Sequence, residues 1–378
     1  MPTGVSSPHV AVVGGGVIGA ACARAAARRG LRVTLFAPGP DPAAASAASA
    51  GMLAAQIEPT DDQLLPLAVR SRDLYEDLAA ALKDTTGIDV GFQRPGIATV
   101  AFDDDRAAAL RELVATQRQA GLRCDWLKAA ELHERWPGTA PQARGALFAP
   151  EDGALDPAAL RAGLVADARR FGTEVVPEAV VRVAVRSDRA MGVVTERSTL
   201  PAEHVVITAG VWSPSLPGLP RHLPIEPVRG QLVATAWPAG LPPVILYHEH
   251  GYLLPRGGEA VLGSTMERVG FDAGTTPEGV AHIRRIATEL CPAFRALPHR
   301  RVWAGLRPVT PDGRPILGPD PEMAGLWYAT GHGRNGILLA AITGEIIGDL
   351  LAAGQTAVDI SQLSVTRFNS AEAGSFKG

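Results

Sequence analysis

The 378-residue sequence predicts an α/β protein, a Rossmann-like nucleotide-binding domain assembled from separated segments and interleaved with an antiparallel-sheet domain. Three observations predict it. The chain opens as strand, glycine-rich turn, alanine-rich helix and strand; its middle is a series of short strands; its last stretch returns to strand, loop, strand and helix.

The elements follow in order. Val10–Val13 is a short apolar strand, Val17–Arg29 an alanine-rich helix ending at Gly30, and Val33–Phe36 a second strand. Thr60 or Asp61 is placed to cap a helix running to about Lys83, with Pro66 near its first turn. Asp104–Gln119 and Ala129–Arg135 read as helices, and Asp156 caps another, Pro157–Phe171. Beyond Gly172 the period becomes that of strands: Glu174–Val176, Val180–Val185, Met191–Thr195 and His204–Ile207. "PVRGQLVATAW", "VILYHEHGYLLPR" and "EAVLGSTME" read as consecutive antiparallel strands, with Gly257-Gly258 turning between the last two and a helix Gly279–Ala296 after them. These elements place the nucleotide-binding domain in residues 1–90, 150–220 and 303–365, the substrate domain in 91–149 and 221–302, and a tail in 366–378.

Composition narrows the function. A formal net charge of -3 gives no basic footprint for nucleic acid. Cys22, Cys124 and Cys291 are far apart and in no metal-ligand spacing, so neither a disulfide framework nor a metal site is expected, and a reducing cytoplasm is. His248 and His250 share a strand face but lack a third ligand in a recognisable spacing. No membrane segment is expected: Met1–Pro8 carries no Lys or Arg before the first apolar run, and the late apolar helix contains Glu345 and Asp349. A homo-oligomer is expected.

Gly14, Gly16 and Gly19 form G-x-G-x-x-G between strand and helix, where bare backbone lets a pyrophosphate reach unpaired helix N–H groups; Val17 and Ile18 complete the turn. The carboxylate that usually ends the second strand and takes the ribose hydroxyls is missing, because "VTLFAPGP" offers Ala37; Asp41 or nearby backbone is left to compensate.

Three further stretches carry a resemblance: "AASAGMLAAQIEP", "WAGLRPVTPDGRPILG" and "ATGHGRNGILLA". Together they resemble the FAD-dependent D-amino-acid oxidase family, in its glycine-oxidising branch associated with thiamine biosynthesis, over nearly the whole chain. The resemblance implies the corresponding α+β fold, noncovalent FAD, dioxygen as acceptor, and a small amino acid or amine as substrate. It implies that Ala50, Gly51 and Met52 run along the flavin, that Ala209 and Gly210 end the strand beneath the ADP half, and that Val181 lies near the adenine. His332, Gly333, Arg334, Asn335, Gly336, Ile337 and Leu338 would bring a helix N-terminus to the flavin edge where negative charge collects. Arg307 matches the carboxylate-binding arginine of that family and Tyr252 a second carboxylate partner. Arg334 offers its side chain or its carbonyl to the amine, while Tyr247, His250 and Met266 line the pocket. A flavin dehydrogenase using another acceptor, or a D-amino-acid or secondary-amine oxidase, would share these motifs.

Overall fold

The computed structural model describes residues 7–39, 41–58 and 63–368. Among them are two large sheets. The first follows the order Ile316–Pro319, Leu326–Thr330, His204–Ile207, His9–Val13, Arg32–Phe36 and Glu174–Val176, parallel throughout except for its first member. Its interior strands are apolar runs buried on both faces, as a parallel sheet covered by helices requires. Helix Val17–Arg28 is buried along most of its length and packs against both Pro157–Arg170 and the C-terminal helix Gly336–Ala353.

The second sheet has eight strands in the order His299–Val309, Glu226–Ala236, Glu259–Gly263, Gly251–Arg256, Ile245–His248, Ile97–Ala101, Gly145–Ala149 and Asp125–Lys128. It is antiparallel except where Ile245–His248 runs beside Ile97–Ala101. Helix Pro277–Leu290, capped by the Thr276 side chain, closes one face through Ile283, Ile286, Ala287 and Leu290. Strand register then decides which side chains meet. Tyr247 lies opposite Tyr252, Tyr252 opposite Gly263, and Gly230 opposite Gly305.

Several expected elements match closely, including Asp104–Gln119, Ala129–Arg135 and the Asp156-capped helix, which ends at Arg170. The Gly257-Gly258 turn has positive φ at both residues, the requirement of a type I′ hairpin. Others differ. The helix expected to run to about Lys83 is two helices, Leu65–Asp73 and Tyr75–Thr86, and its expected cap at Thr60 or Asp61 lies outside the described residues. "VILYHEHGYLLPR" is a hairpin rather than one strand, turning through Glu249 and His250. The helix expected over Gly279–Ala296 gives way after Leu290 to a short 3₁₀ turn. The boundary expected at residue 303 falls inside strand His299–Val309, which hydrogen-bonds to Glu226–Ala236 along its length and belongs to the second sheet.

The C-terminal helix was expected to be too polar to span a membrane, and by composition it is not. Gly333–Ala353 is long and apolar enough by composition to cross a membrane, despite its two acids. The fold uses it as a core helix: 67% of the apolar window is buried, and Glu345 and Asp349 both pair with Arg29 on the first helix, at 2.7 and 2.6 Å.

Candidate active site

A cavity of about 600 Å³ runs from the glycine turn after the first strand to the inner face of the second sheet. At its nucleotide end Gly14 has φ +117°, and a Cβ there would lie 2.6 Å from the Thr208 carbonyl oxygen. Thr208 in turn donates through Oγ1 to the carbonyls of Val13 and Gly14, at 2.8 and 2.9 Å, fixing the turn from behind. Gly16 precedes the helix, and Val17 and Ile18 begin it; all three border the cavity. Gly19 does not. Its place is structural, since a Cβ would sit 1.9 Å from the Gly14 oxygen, so its absence sets the helix close against the strand.

Ala50, Gly51 and Met52 border the middle of the cavity, as do Ala209, Gly210 and Val181. The end of the C-terminal helix enters through His332, Gly333, Arg334, Gly336 and Ile337. Asn335 and Leu338 stand apart from this lining. Leu338 is core, its carbonyl taken by the Ser71 hydroxyl at 2.6 Å, and the Asn335 side chain is buried beside the turn. The helical turn that presents His332 to the cavity rotates these two side chains away from it.

His332 is enclosed, with Nε2 3.1 Å from Thr343 Oγ1. Burial holds its pKa down to about 3, so it is neutral. An unfolded chain would protonate it near pH 6.5. The unfolded state therefore binds more protons between those values, and stability is full above about pH 6.5 and lost as pH falls toward 3. Denaturant unfolding from pH 7 to 5 should show His332→Gln losing less stability per pH unit than wild type, by up to about 1.4 kcal/mol per unit; equal slopes would contradict this.

At the sheet end Arg307 is half-buried, with a hydrogen bond from Nη2 to Ser264 Oγ at 2.8 Å and from Nη1 to the Thr265 carbonyl at 3.1 Å. Burial lowers its pKa, and Arg334 adds to the effect. The guanidinium lies over Gly230, two positions along the neighbouring strand from its own partner Val228, and any Cβ at Gly230 would be 2.0 Å from Nη1. Tyr252 borders the same space, in the core cluster with Leu254, and burial raises its hydroxyl to about 12. Tyr247 stacks behind it, ring centroids 6.2 Å apart and 16° between planes.

Arg334 donates through Nη2 to Tyr247 Oη at 2.6 Å and to Glu58 Oε1 at 2.9 Å. Glu58 is the first cause of its raised pKa. The turn carrying Glu58 is itself pinned: Glu58 N–H donates to the Ala54 carbonyl at 3.0 Å, Gln56 N–H to Asp152 Oδ2 at 3.0 Å, and Arg72 Nη1 to Gln56 Oε1 at 2.8 Å.

The structure thus brings together Arg307, Tyr252 and Arg334, with Tyr247 behind them, bonded to Arg334 but outside the cavity lining, and the other two expected pocket residues lie elsewhere. His250 sits at the hairpin tip, its side chain 61% exposed and beside Glu249, because the strand turns there. Met266 is 56% exposed, beyond the end of strand Glu259–Gly263 and outside the cavity lining. Glu58, Gly230, Ser264 and Thr265 belong to the site and escaped the sequence reading, although Glu58 stands inside "AASAGMLAAQIEP". Among the described residues there is no cluster of three metal-ligating side chains, and none of the three cysteines borders the cavity.

A glycine cradle leading to a buried cationic pocket has the architecture of a dinucleotide-dependent oxidoreductase. The chain belongs to the DAO family, described as FAD dependent oxidoreductase, whose model matches residues 9–350. It is FAD-dependent, and the cradle and open glycine surface suit that cofactor. Within the family it is similar to glycine oxidase of Geobacillus kaustophilus (strain HTA426), 37% identical over 364 residues that cover 95% of this chain and 96% of that protein. The solved structure of glycine oxidase from that organism aligns with TM-score 0.89 and 35% identity, covering 96% of this chain and 99% of the other. The bifunctional protein ThiO/ThiG of Trichormus variabilis (strain ATCC 29413 / PCC 7937) is 34% identical over 95% of this chain, which spans 55% of that longer protein.

Proposed function

We propose that this protein oxidises glycine or another small amino acid or amine with noncovalent FAD, giving the imine, then the oxo acid and ammonia, with hydrogen peroxide released. The observation that carries the reading is the half-buried Arg307 guanidinium at the sheet end of the cavity beside Tyr252. A carboxylate meets there a planar fork of donors in a desolvated site, with the Tyr252 hydroxyl as a further donor. FAD, when bound, accepts two electrons from the substrate carbon and passes them to dioxygen.

The chain's own groups do the positioning. Arg334 has its side chain committed to Glu58 and Tyr247, which leaves its carbonyl as the acceptor for the substrate amine. Glu58 offsets the Arg334 charge, so a cationic amine approaches a locally neutral pair while the carboxylate approaches uncompensated Arg307. The neutral His332 adds no positive charge. No strong general base is required, because an amine that has lost its proton on binding is already able to release electrons from the adjacent carbon. A role in supplying the thiamine thiazole pathway, in the cytoplasm, completes the reading, and the similarity to glycine oxidases and to ThiO/ThiG supports it.

The test is peroxide formation under air from glycine, sarcosine, D-alanine and L-alanine. With carboxylate and amine held by these contacts, an L side chain would take the place of the hydrogen that faces the flavin, so glycine and D-alanine should be oxidised at least about tenfold faster than L-alanine. L-alanine as the best substrate would overturn the geometry, and substrate-dependent flavin bleaching without peroxide would assign a dehydrogenase instead.

A further inference from the structure

The second strand ends without the carboxylate that commonly receives the adenosine ribose, and the structure shows what stands there instead. Ala37 is buried against the glycine turn: a Cβ built on Gly15 would lie 2.3 Å from the Ala37 Cβ. Over this junction reaches Arg161, from helix Pro157–Arg170. Its Nε donates to the Gly15 carbonyl, and the side chain borders the cavity together with Phe36, Pro38, Gly39 and Val181. Among the described residues its two Nη groups have no hydrogen-bond or ion-pair partner, although elsewhere in this protein buried and half-buried guanidinium groups such as Arg24, Arg72 and Arg229 are paired with acids. Asp41 also borders this end, but its Oδ1 accepts from the Ala43 N–H at 2.8 Å and closes its own turn.

We propose that Arg161 is the adenosine-ribose ligand of this FAD site and replaces the missing carboxylate with a donor of opposite charge. A ribose hydroxyl both donates and accepts, so it can give its proton to a carboxylate or receive N–H bonds from a guanidinium. The Nε bond to Gly15 spends one donor on the backbone and orients the fork, leaving both Nη groups for the ligand. The exchange of sign has a consequence that a carboxylate site cannot share. A 2′-phosphate on the ribose would be attracted rather than repelled.

The inference rests on FAD occupying this cavity and is tested by binding, using the full-length holoenzyme. FAD dissociation constants come from flavin fluorescence recovered on dilution. FAD displacement is then measured with adenosine 5′-monophosphate and with adenosine 2′,5′-bisphosphate. Arg161→Met should weaken FAD roughly 10- to 100-fold, the loss of charge-assisted hydrogen bonds in a partly enclosed site, while FMN, which lacks the adenosine half, binds the variant and the wild type alike. In wild type the 2′,5′-bisphosphate should displace FAD at about tenfold lower concentration than the monophosphate, and Arg161→Met should erase that preference. Unchanged FAD affinity in the variant, an equal loss for FAD and FMN, or a bisphosphate preference that survives the substitution would each overturn the assignment.

Discussion

Arg307→Ala should lower kcat/KM for glycine by about 10²–10⁴-fold while the purified variant keeps its flavin. Removing one partner from a buried charged contact costs about 3–5 kcal/mol, and about 1.4 kcal/mol is a factor of ten in rate. Arg307 meets the conditions for the upper part of that range. It lines the cavity half-buried, its pKa is lowered by desolvation, and its two hydrogen bonds to Ser264 and Thr265 hold it in place before any carboxylate arrives. Preorganisation of this kind means that the substrate does not meet the cost of ordering the side chain. Arg307→Lys should recover only part of the loss, because an ammonium cannot reproduce the fork that spans Ser264 and Thr265. Steady-state kinetics with the flavin-to-protein absorbance ratio checks both, and near-wild-type efficiency of the alanine variant would remove Arg307 from the substrate site.

Glu58→Gln should act in the opposite electrostatic sense. The amide still fills the space beside Arg334 and Tyr247, but it leaves the Arg334 charge uncompensated. Because the Arg334 side chain is a third exposed, solvent screens part of the effect, and a loss of about tenfold in kcat/KM for glycine is expected, on the order of 1–2 kcal/mol. The sign extends to pH and to specificity. An additional positive charge next to the substrate amine favours its neutral form, so the acidic limb of the kcat profile should move to lower pH. A substrate with a second carboxylate, such as iminodiacetate, should gain relative to glycine because Arg334 becomes available to it. A glycine-to-iminodiacetate ratio equal to that of wild type would show that Glu58 does not set the charge of this site.

Much of this arrangement is legible in the sequence for a definable reason. The glycine turn, the first helix and the late glycine-led helix announce themselves through local spacing, because each is a conformational demand met within a dozen residues. Arg307 and Tyr252 were accessible through their flanking motifs. The residues that escaped reading are those whose role exists only across chain distances. Gly230 has ordinary strand geometry, and only the guanidinium arriving from residue 307 explains why a side chain is absent there. Glu58 and Arg334 are 276 positions apart. Ser264 and Thr265 matter through one hydroxyl and one carbonyl, which no residue pattern advertises. The errors have the same origin. His250 reads as pocket-facing when "VILYHEHGYLLPR" is taken as a continuous strand, and a two-residue turn at Glu249 and His250 puts it in solvent.

The packing of the C-terminal helix on the first helix bears on how the protein is made. Arg29 and Asp349 are 320 positions apart, yet they clasp the two helices whose N-terminal ends both face the same cavity. During synthesis the glycine turn leaves the ribosome early, whereas the segment that closes the cavity opposite it arrives only after some three hundred further residues, at about 5–20 residues per second. For at least about fifteen seconds, the nascent chain carries one wall of the site with its apolar partner missing. Both walls of the cavity are in place only once the C-terminal helix has emerged, and until then the alanine-rich face of the first helix lacks the apolar partner it has in the fold.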